Sequence, residues 1–149
     1  MSKSKVPFET TLLVRDLCLC LSVQRAARAL ARRFDDALRP LELTHGQFSI
    51  LMSLNRPVPP KMGDVAQSLS MDRTTLTAAL KLLERRGLIV TRPDYDDRRS
   101  RRVALTGAGH MLLRKALPLW KRHHAQLEKY VGSGATELRE NLEYLARIA

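Results

Sequence analysis

The stretch DYDDRRSRRVALT, residues 94–106, places three aspartates and then four arginines within the nine residues from Asp94 to Arg102. A Val-Ala-Leu tail follows and ends at Thr106. A solvated loop would tolerate such charge, so the neighbours decide the reading. Residues 88–91 favour strand and residues 101–106 alternate, which makes the charged stretch the tip and second strand of a β-hairpin. Just upstream, Ser70-Met71-Asp72 opens a helix that Gly87 closes after Arg85 and Arg86, with Ser70 as the expected cap and Asp72 suited to the positive helix end. Leu76, Leu80 and Leu83 face inward on that helix. Arg73, Thr74, Thr77, Ala78 and Lys81 then share its outer face, cationic and hydroxyl-bearing.

Further upstream, residues 1–11 read as a loose basic arm and residues 12–38 as one helix with Leu13, Leu17, Cys20, Ala27, Ala31, Phe34 and Leu38 on its apolar stripe. Arg25, Arg28 and Arg32 lie off that stripe. Between residues 12 and 23 apolar side chains cover nearly the whole circumference, which calls for burial on more than one side. Thr44-His45-Gly46-Gln47 has the form of a capping box and starts the next helix. The prolines of NRPVPP, residues 55–60, interrupt the chain before a short helix over residues 61–69. Thr106 caps a long helix to about residue 130, with Pro118 inside it and a kink expected there, and Leu138, Leu142, Leu145 and Ile148 mark a last one. The expected fold is mainly α with a small β-hairpin wing: a winged helix-turn-helix domain over residues 44–106, between an N-terminal dimerisation helix over 12–43 and C-terminal dimerisation helices over 107–149.

Twenty-six basic against fifteen acidic residues give a formal charge of +11 in 149 residues. Such an excess implies a polyanionic partner, and a helix with a basic, hydroxyl-rich face suits the DNA major groove while an arginine hairpin suits the adjacent minor groove. The apolar run near the N-terminus is broken by Arg15 and Asp16, so no membrane partner is expected and the protein is read as cytoplasmic. No phosphate loop, nucleophile elbow or carboxylate pair with a matching base occurs. Cys18 and Cys20, and the adjacent His123 and His124, diverge on a helix and form no metal set. No catalytic residues, metal or cofactor are therefore expected.

The sequence also resembles a family. Asp97-Arg98-Arg99-Ser100-Arg101-Arg102-Val103-Ala104-Leu105-Thr106, with Gly109 beyond, is similar to the Asp-x-Arg wing signature and Leu-Thr-x-x-Gly of MarR-type transcriptional regulators. Leu43 to Phe48, Leu69 to Thr77 and Leu83 to Ile89 look like the same family's helix starts and recognition helix. The resemblance covers about residues 12–148. It implies a homodimer held by the first and last two helices, an Asp97 that salt-bridges its surroundings to brace the wing, and an Arg99 that enters the minor groove, with Arg98 beside it able to substitute. The DNA-binding set expected on this reading is Arg73, Thr74, Thr75, Thr77, Lys81, Arg98, Arg99 and Arg101. The implied function is a sequence-specific repressor of a palindromic operator in double-stranded DNA, modulated by an unidentified small effector seated between the dimer helices and the winged domain. Two alternatives remain open: a redox-sensing regulator acting through Cys20, and a non-specific basic nucleic-acid-binding protein. Aligned through Gln47-Phe48, Cys20 falls where the organic-hydroperoxide-sensing branch of the family places its reactive cysteine. That branch surrounds the thiolate with tyrosines, where this chain has Gln24 and Phe34. Cys18, on a more polar face with Ser22 and Arg25, is expected to be the more accessible thiol.

Overall fold

The computed structural model describes residues 5–149. Helices α1 (Phe8–Leu17) and α2 (Leu19–Leu38) lead through a 3-10 turn to α3 (His45–Ser53), α4 (Met62–Ser68) and α5 (Arg73–Arg85). The hairpin β1 (Ile89–Pro93) and β2 (Arg101–Leu105) follows, then α6 (Gly107–Val131) and, after a second 3-10 turn, α7 (Ala135–Ile148). The chain forms two compact units that divide between Arg33 and Phe34.

Two expectations change in the first unit. The arm read over residues 1–11 lies partly outside the described residues, and from Phe8 it is helical, entered from the extended Pro7 with Glu9 in the first turn. Proline fixes its own φ and suits a helix entrance, a signal masked by the polar composition around it. The single helix expected over 12–38 is two, because Cys18 leaves helical geometry at φ −73° and ψ 105°. Its sulfur accepts a hydrogen bond from the Leu21 N–H at 3.4 Å, serving as the side-chain cap of α2. A one-residue departure leaves the apolar periodicity almost intact, so pattern alone does not register it. Leu13, Val14, Leu17 and Leu19 are all exposed here.

In the second unit one core joins the end of α2, helices α3 to α6 and the hairpin. Leu38, Leu43, Phe48, Leu51, Val65, Leu76, Leu83, Ile89, Val103 and Leu113 belong to a single buried cluster. The capping box of α3 is present as expected: Thr44 Oγ1 accepts from the Gln47 N–H at 3.2 Å, and Gln47 Oε1 accepts from the Thr44 N–H at 3.1 Å. Ser70 does not cap α5. It holds the left-handed turn between α4 and α5 at φ 49°, and the cap is Asp72, which accepts from the Thr75 N–H at 2.8 Å. Aspartate caps as well as serine does and stands immediately before the helix, which leaves the Ser70 backbone to make the turn.

The α6 helix runs unbroken through Pro118, burying Leu113 and Ala116. Trp120 packs between aromatic neighbours, 6.3 Å from the Phe48 ring and 4.6 Å from the His124 ring. No residue of α7 is buried in the protomer.

Candidate nucleic-acid interface

Three contacts lock the corner where α5, the hairpin and α6 meet. Thr106 Oγ1 donates to the Gly87 carbonyl at 2.6 Å and accepts from the Gly109 N–H at 3.1 Å, while the Thr106 N–H donates to the Leu88 carbonyl at 3.1 Å. Gly87, at φ 71°, makes the left-handed stop after α5 that a side chain would disfavour. Gly109 is required for a different reason. A Cβ there would lie 2.2 Å from the Leu88 carbonyl oxygen, so only glycine allows α6 to start this close to the hairpin base. The Glu84 carboxylate adds a link by accepting from the Thr91 N–H at 3.2 Å.

On α5 the expected DNA-facing residues separate into two groups. Arg73, Thr74 and Lys81 are exposed, as is Ala78 between them. Thr75 is exposed but engaged: its hydroxyl donates to Asp72 Oδ2 at 2.7 Å, and these bonds hold the Asp72 carboxyl below the usual aspartate range. Thr77 is half-buried and turns its hydroxyl toward Met62 Sδ on α4, 3.8 Å away. The Arg73 guanidinium lies over Gly63 of α4, where an added Cβ would meet Nη2 at 2.8 Å. The outward ridge is therefore Thr74, Ala78 and Lys81, with Arg73 at its start. Thr75 and Thr77 shape the helix and its packing on α4.

The hairpin pairs antiparallel with Ile89 opposite Leu105 and Arg92 opposite Arg102. A third segment joins it, since Lys61 bridges to Arg102 and the Val103 N–H donates to the Pro60 carbonyl at 3.0 Å. At the tip, Asp97 acts on backbone: its Oδ1 accepts from the Arg99 N–H at 3.0 Å and its carbonyl from the Ser100 N–H at 2.9 Å. The ion pair expected of Asp97 is made by Asp94 instead. Asp94 is only 3% exposed, accepts from Arg102 Nε and lies 3.8 Å from Lys61 Nζ. Arg102 Nη1 in turn donates to the Pro59 carbonyl at 2.6 Å. Hydrogen bonding from Arg102 first, and then the charges of Arg102 and Lys61, hold the Asp94 carboxyl below its ordinary value against the opposing effect of burial. This cluster ties the hairpin to the segment before α4 and so fixes the tip relative to α5. Sequence reasoning missed it because Asp94 and Arg102 meet only once the strand register is known. The signal available was an aspartate and an arginine on opposite arms of one hairpin, offset by two residues from the register partners.

Arg98, Arg99 and Arg101 are exposed, and their guanidinium groups make no hydrogen bond or ion pair among the described residues. Three cations held beside a basic ridge by a rigid tip define a surface for a polyanion. Among the described residues no group of His, Cys, Asp and Glu could hold a metal ion, and no helix is long and apolar enough to cross a membrane. Cys20 is exposed and accepts from Gln24 Nε2 at 3.2 Å, whereas Cys18 is half-buried. The order of accessibility is thus opposite to that expected, because Cys18 turns inward to cap α2.

A helix-turn-helix flanked by an arginine-tipped hairpin is the architecture of a winged-helix DNA-binding regulator. The sequence profile of the MarR family matches residues 43–100. The DNA complex of the M. tuberculosis transcriptional regulator MosR is 35% identical to this chain, over 87% of it and 94% of MosR, with a TM-score of 0.80. The transcriptional repressor CouR bound to a 23-mer DNA duplex is 29% identical, covering 97% of this chain and 99% of that one, with a TM-score of 0.74. The organic hydroperoxide resistance transcriptional regulator of Bacillus subtilis is 29% identical over 101 residues, which are 68% of this chain and 69% of that protein. The chain belongs to the MarR family of winged helix-turn-helix transcriptional regulators, and its function is DNA-binding transcriptional regulation rather than catalysis.

Proposed function

We propose that the protein is a homodimeric repressor that binds a palindromic operator in the cytoplasm and is released by a small effector. Arg73, Thr74 and Lys81 meet base edges and flanking phosphates in the major groove, and Arg98, Arg99 and Arg101 reach the adjacent minor groove and its phosphates. Thr75 and Thr77 contribute by holding the helix start and its seat on α4. The observation that carries this reading is the set of unpaired wing arginines on a tip fixed by Asp94 and Asp97. Dimerisation is supported by apolar side chains left exposed in the protomer: Leu13, Val14 and Leu17 on α1, and Leu138, Leu142 and Ile148 on α7. An effector acts by population shift, favouring a separation of the two recognition helices that no longer matches half-sites one helical turn apart. The similar CouR has been seen both with DNA and with p-coumaroyl-CoA, which supports effector control of this kind. Footprinting on DNA from the region upstream of its own coding sequence tests the proposal. Two protected half-sites related by two-fold symmetry are expected, and uniform protection along the duplex would contradict it.

A second reading, redox control through Cys20, is supported by the exposure of that thiol in the protomer and by the hydroperoxide-resistance relative. Organic hydroperoxide that lowers operator affinity in the wild type but not in Cys20→Ser would establish it. Equal response of both proteins would leave effector binding as the mode of control.

A further inference from the structure

The DNA surface on α5 and the wing draws on Arg73, Lys81, Arg98, Arg99 and Arg101, fewer than half of the +11 charge excess. A second set of cations lies on α6. Leu113 and Ala116 turn the inner side of that helix to the core. Arg114, Lys115, Lys121, Arg122 and Lys129 fall on the opposite side, and all are exposed. They form two rows at seven-residue spacing, Arg114 with Lys121 and Lys115 with Arg122 and Lys129, so neighbours in a row stand about 10 Å apart. Pro118 and Ala125 lie along the midline between the rows, where their short side chains leave a shallow floor. None of these cations makes a hydrogen bond or ion pair among the described residues. Glu128, the one acidic residue in the sequence of α6, is held by Arg139 of α7 at 2.6 Å, so the helix offers the rows no free carboxylate.

We propose that this face of α6 receives the phosphate backbone of duplex DNA that continues past the segment held by α5 and the wing. Charge complementarity selects the occupant. A second copy meeting the face across a two-fold axis would set cations against cations. A protein partner needs an apolar core, and lysine is depleted at protein interfaces, whereas this face offers the exposed Met111 at one end and lysines along its length. A phosphate backbone needs cations and a close approach, and the rows with their shallow floor supply both. The face is also continuous with the winged domain. The α6 helix begins at the hairpin base, where Thr106 caps it and bonds to Gly87 and Leu88. The rows therefore start about 12 Å beyond that cap and run about 22 Å further along the helix. Those distances exceed the screening length of roughly 8 Å at physiological salt, so the rows act on DNA in contact with them, and the flanking duplex bends to reach them. Counterion release offsets the cost of that bend. The inference rests on the proposed placement of DNA on α5 and the wing.

Duplex length tests it. Two duplexes carrying the same footprinted site, one of about 24 base pairs and one extended at both ends to about 60, are titrated with the full-length protein over a range of salt concentrations. The wild type is expected to show a slope of log affinity against log salt that is steeper on the longer duplex by at least about 2, at about 0.9 per neutralised phosphate. Lys121→Ala, Arg122→Ala and Lys129→Ala together should remove most of that increment and leave the slope on the short duplex unchanged. Lys121→Arg, Arg122→Lys and Lys129→Arg together keep the charge and should keep the increment. All three side chains are exposed, and melting temperature and sedimentation check fold and oligomeric state. Equal wild-type slopes on the two duplexes, an increment that survives the alanine substitutions, or an equal loss on both lengths would overturn the inference. So would an alanine variant that dissociates, because the rows would then belong to a self-interface. The same slopes are measured on random duplexes of both lengths. Lack of operator preference would refute the regulator reading, while the length increment on random DNA still decides the role of α6.

Discussion

Gly109→Ala tests how the winged domain is joined to α6. The added Cβ would sit 2.2 Å from the Leu88 carbonyl oxygen and 3.2 Å from Leu105 Cδ2. Relief requires the start of α6 to retreat by about 1 Å to reach ordinary contact. The same corner holds the 3.1 Å bond from the Thr106 N–H to Leu88, the 2.6 Å bond to Gly87 and the 3.1 Å helix cap. Loss or weakening of these bonds costs about 1 kcal/mol each, against a gain of at most about 1 kcal/mol from alanine's helix propensity. The expected net loss is about 1 to 3 kcal/mol, or roughly 3 to 10 °C in melting temperature for a chain of this size. Thermal denaturation followed by circular dichroism, at one protomer concentration, measures it. Gly107→Ala is the control, since nothing lies within 4 Å of its Cβ position, and it should leave stability unchanged or slightly raised. A Gly109→Ala protein as stable as the wild type would refute the close-approach argument.

Further expectations follow from the interface and its supports. Arg99→Ala should weaken binding to all duplexes and reduce the slope of log affinity against log salt by about 0.9 for one lost phosphate contact; titrations at two salt concentrations measure it, and an unchanged slope would return Arg99 to solvated surface. Thr74→Val should cost about 1 to 3 kcal/mol on the operator and little on random DNA, because an exposed base-reading hydroxyl carries sequence information. Equal losses on both would make Thr74 a backbone contact. The folded-state pKa of Asp94 is depressed, so its contribution to stability is full above the unfolded value of about 3.9 and is lost as pH falls through the folded one. Asp94→Asn should therefore lower the melting temperature at pH 7 and flatten its fall under acid, as pH-dependent melting would show. Deleting residues 135–149 removes the exposed apolar face of α7 and should abolish the dimer in sedimentation, and operator affinity with it.

Much of the fold was legible because its local signals agree with its tertiary structure. Thr44 and Gln47, Gly87 and Thr106 mark helix ends by chemistry that acts within a few residues, and the inward leucines of α5 follow helical spacing. The hairpin showed through its alternation. What escaped was set by single-residue geometry or distant pairing. Cys18 interrupts a helix without disturbing the apolar pattern around it, and Ser70 adopts a left-handed turn although serine carries no strong preference for it. The ion pair of the wing required the register that brings Asp94 to Arg102, whereas Asp97, where the resemblance placed that pair, holds the tip by accepting from the Arg99 N–H. Likewise, the divided roles on α5 follow from α4: Thr77 meets Met62, and helical periodicity alone shows only that Thr77 lies near the outer face.

Whether α5 and the wing read a particular DNA sequence rather than DNA charge is decided by one competition titration. A labelled duplex from the upstream region is titrated with the protein at physiological salt in the presence of excess random duplex. Saturation at two protomers per site and a preference for the operator of at least about 10³ over random DNA are expected. Equal affinity for operator and competitor, with binding governed by salt alone, would contradict this and leave a basic protein whose +11 charge accounts for all of its binding.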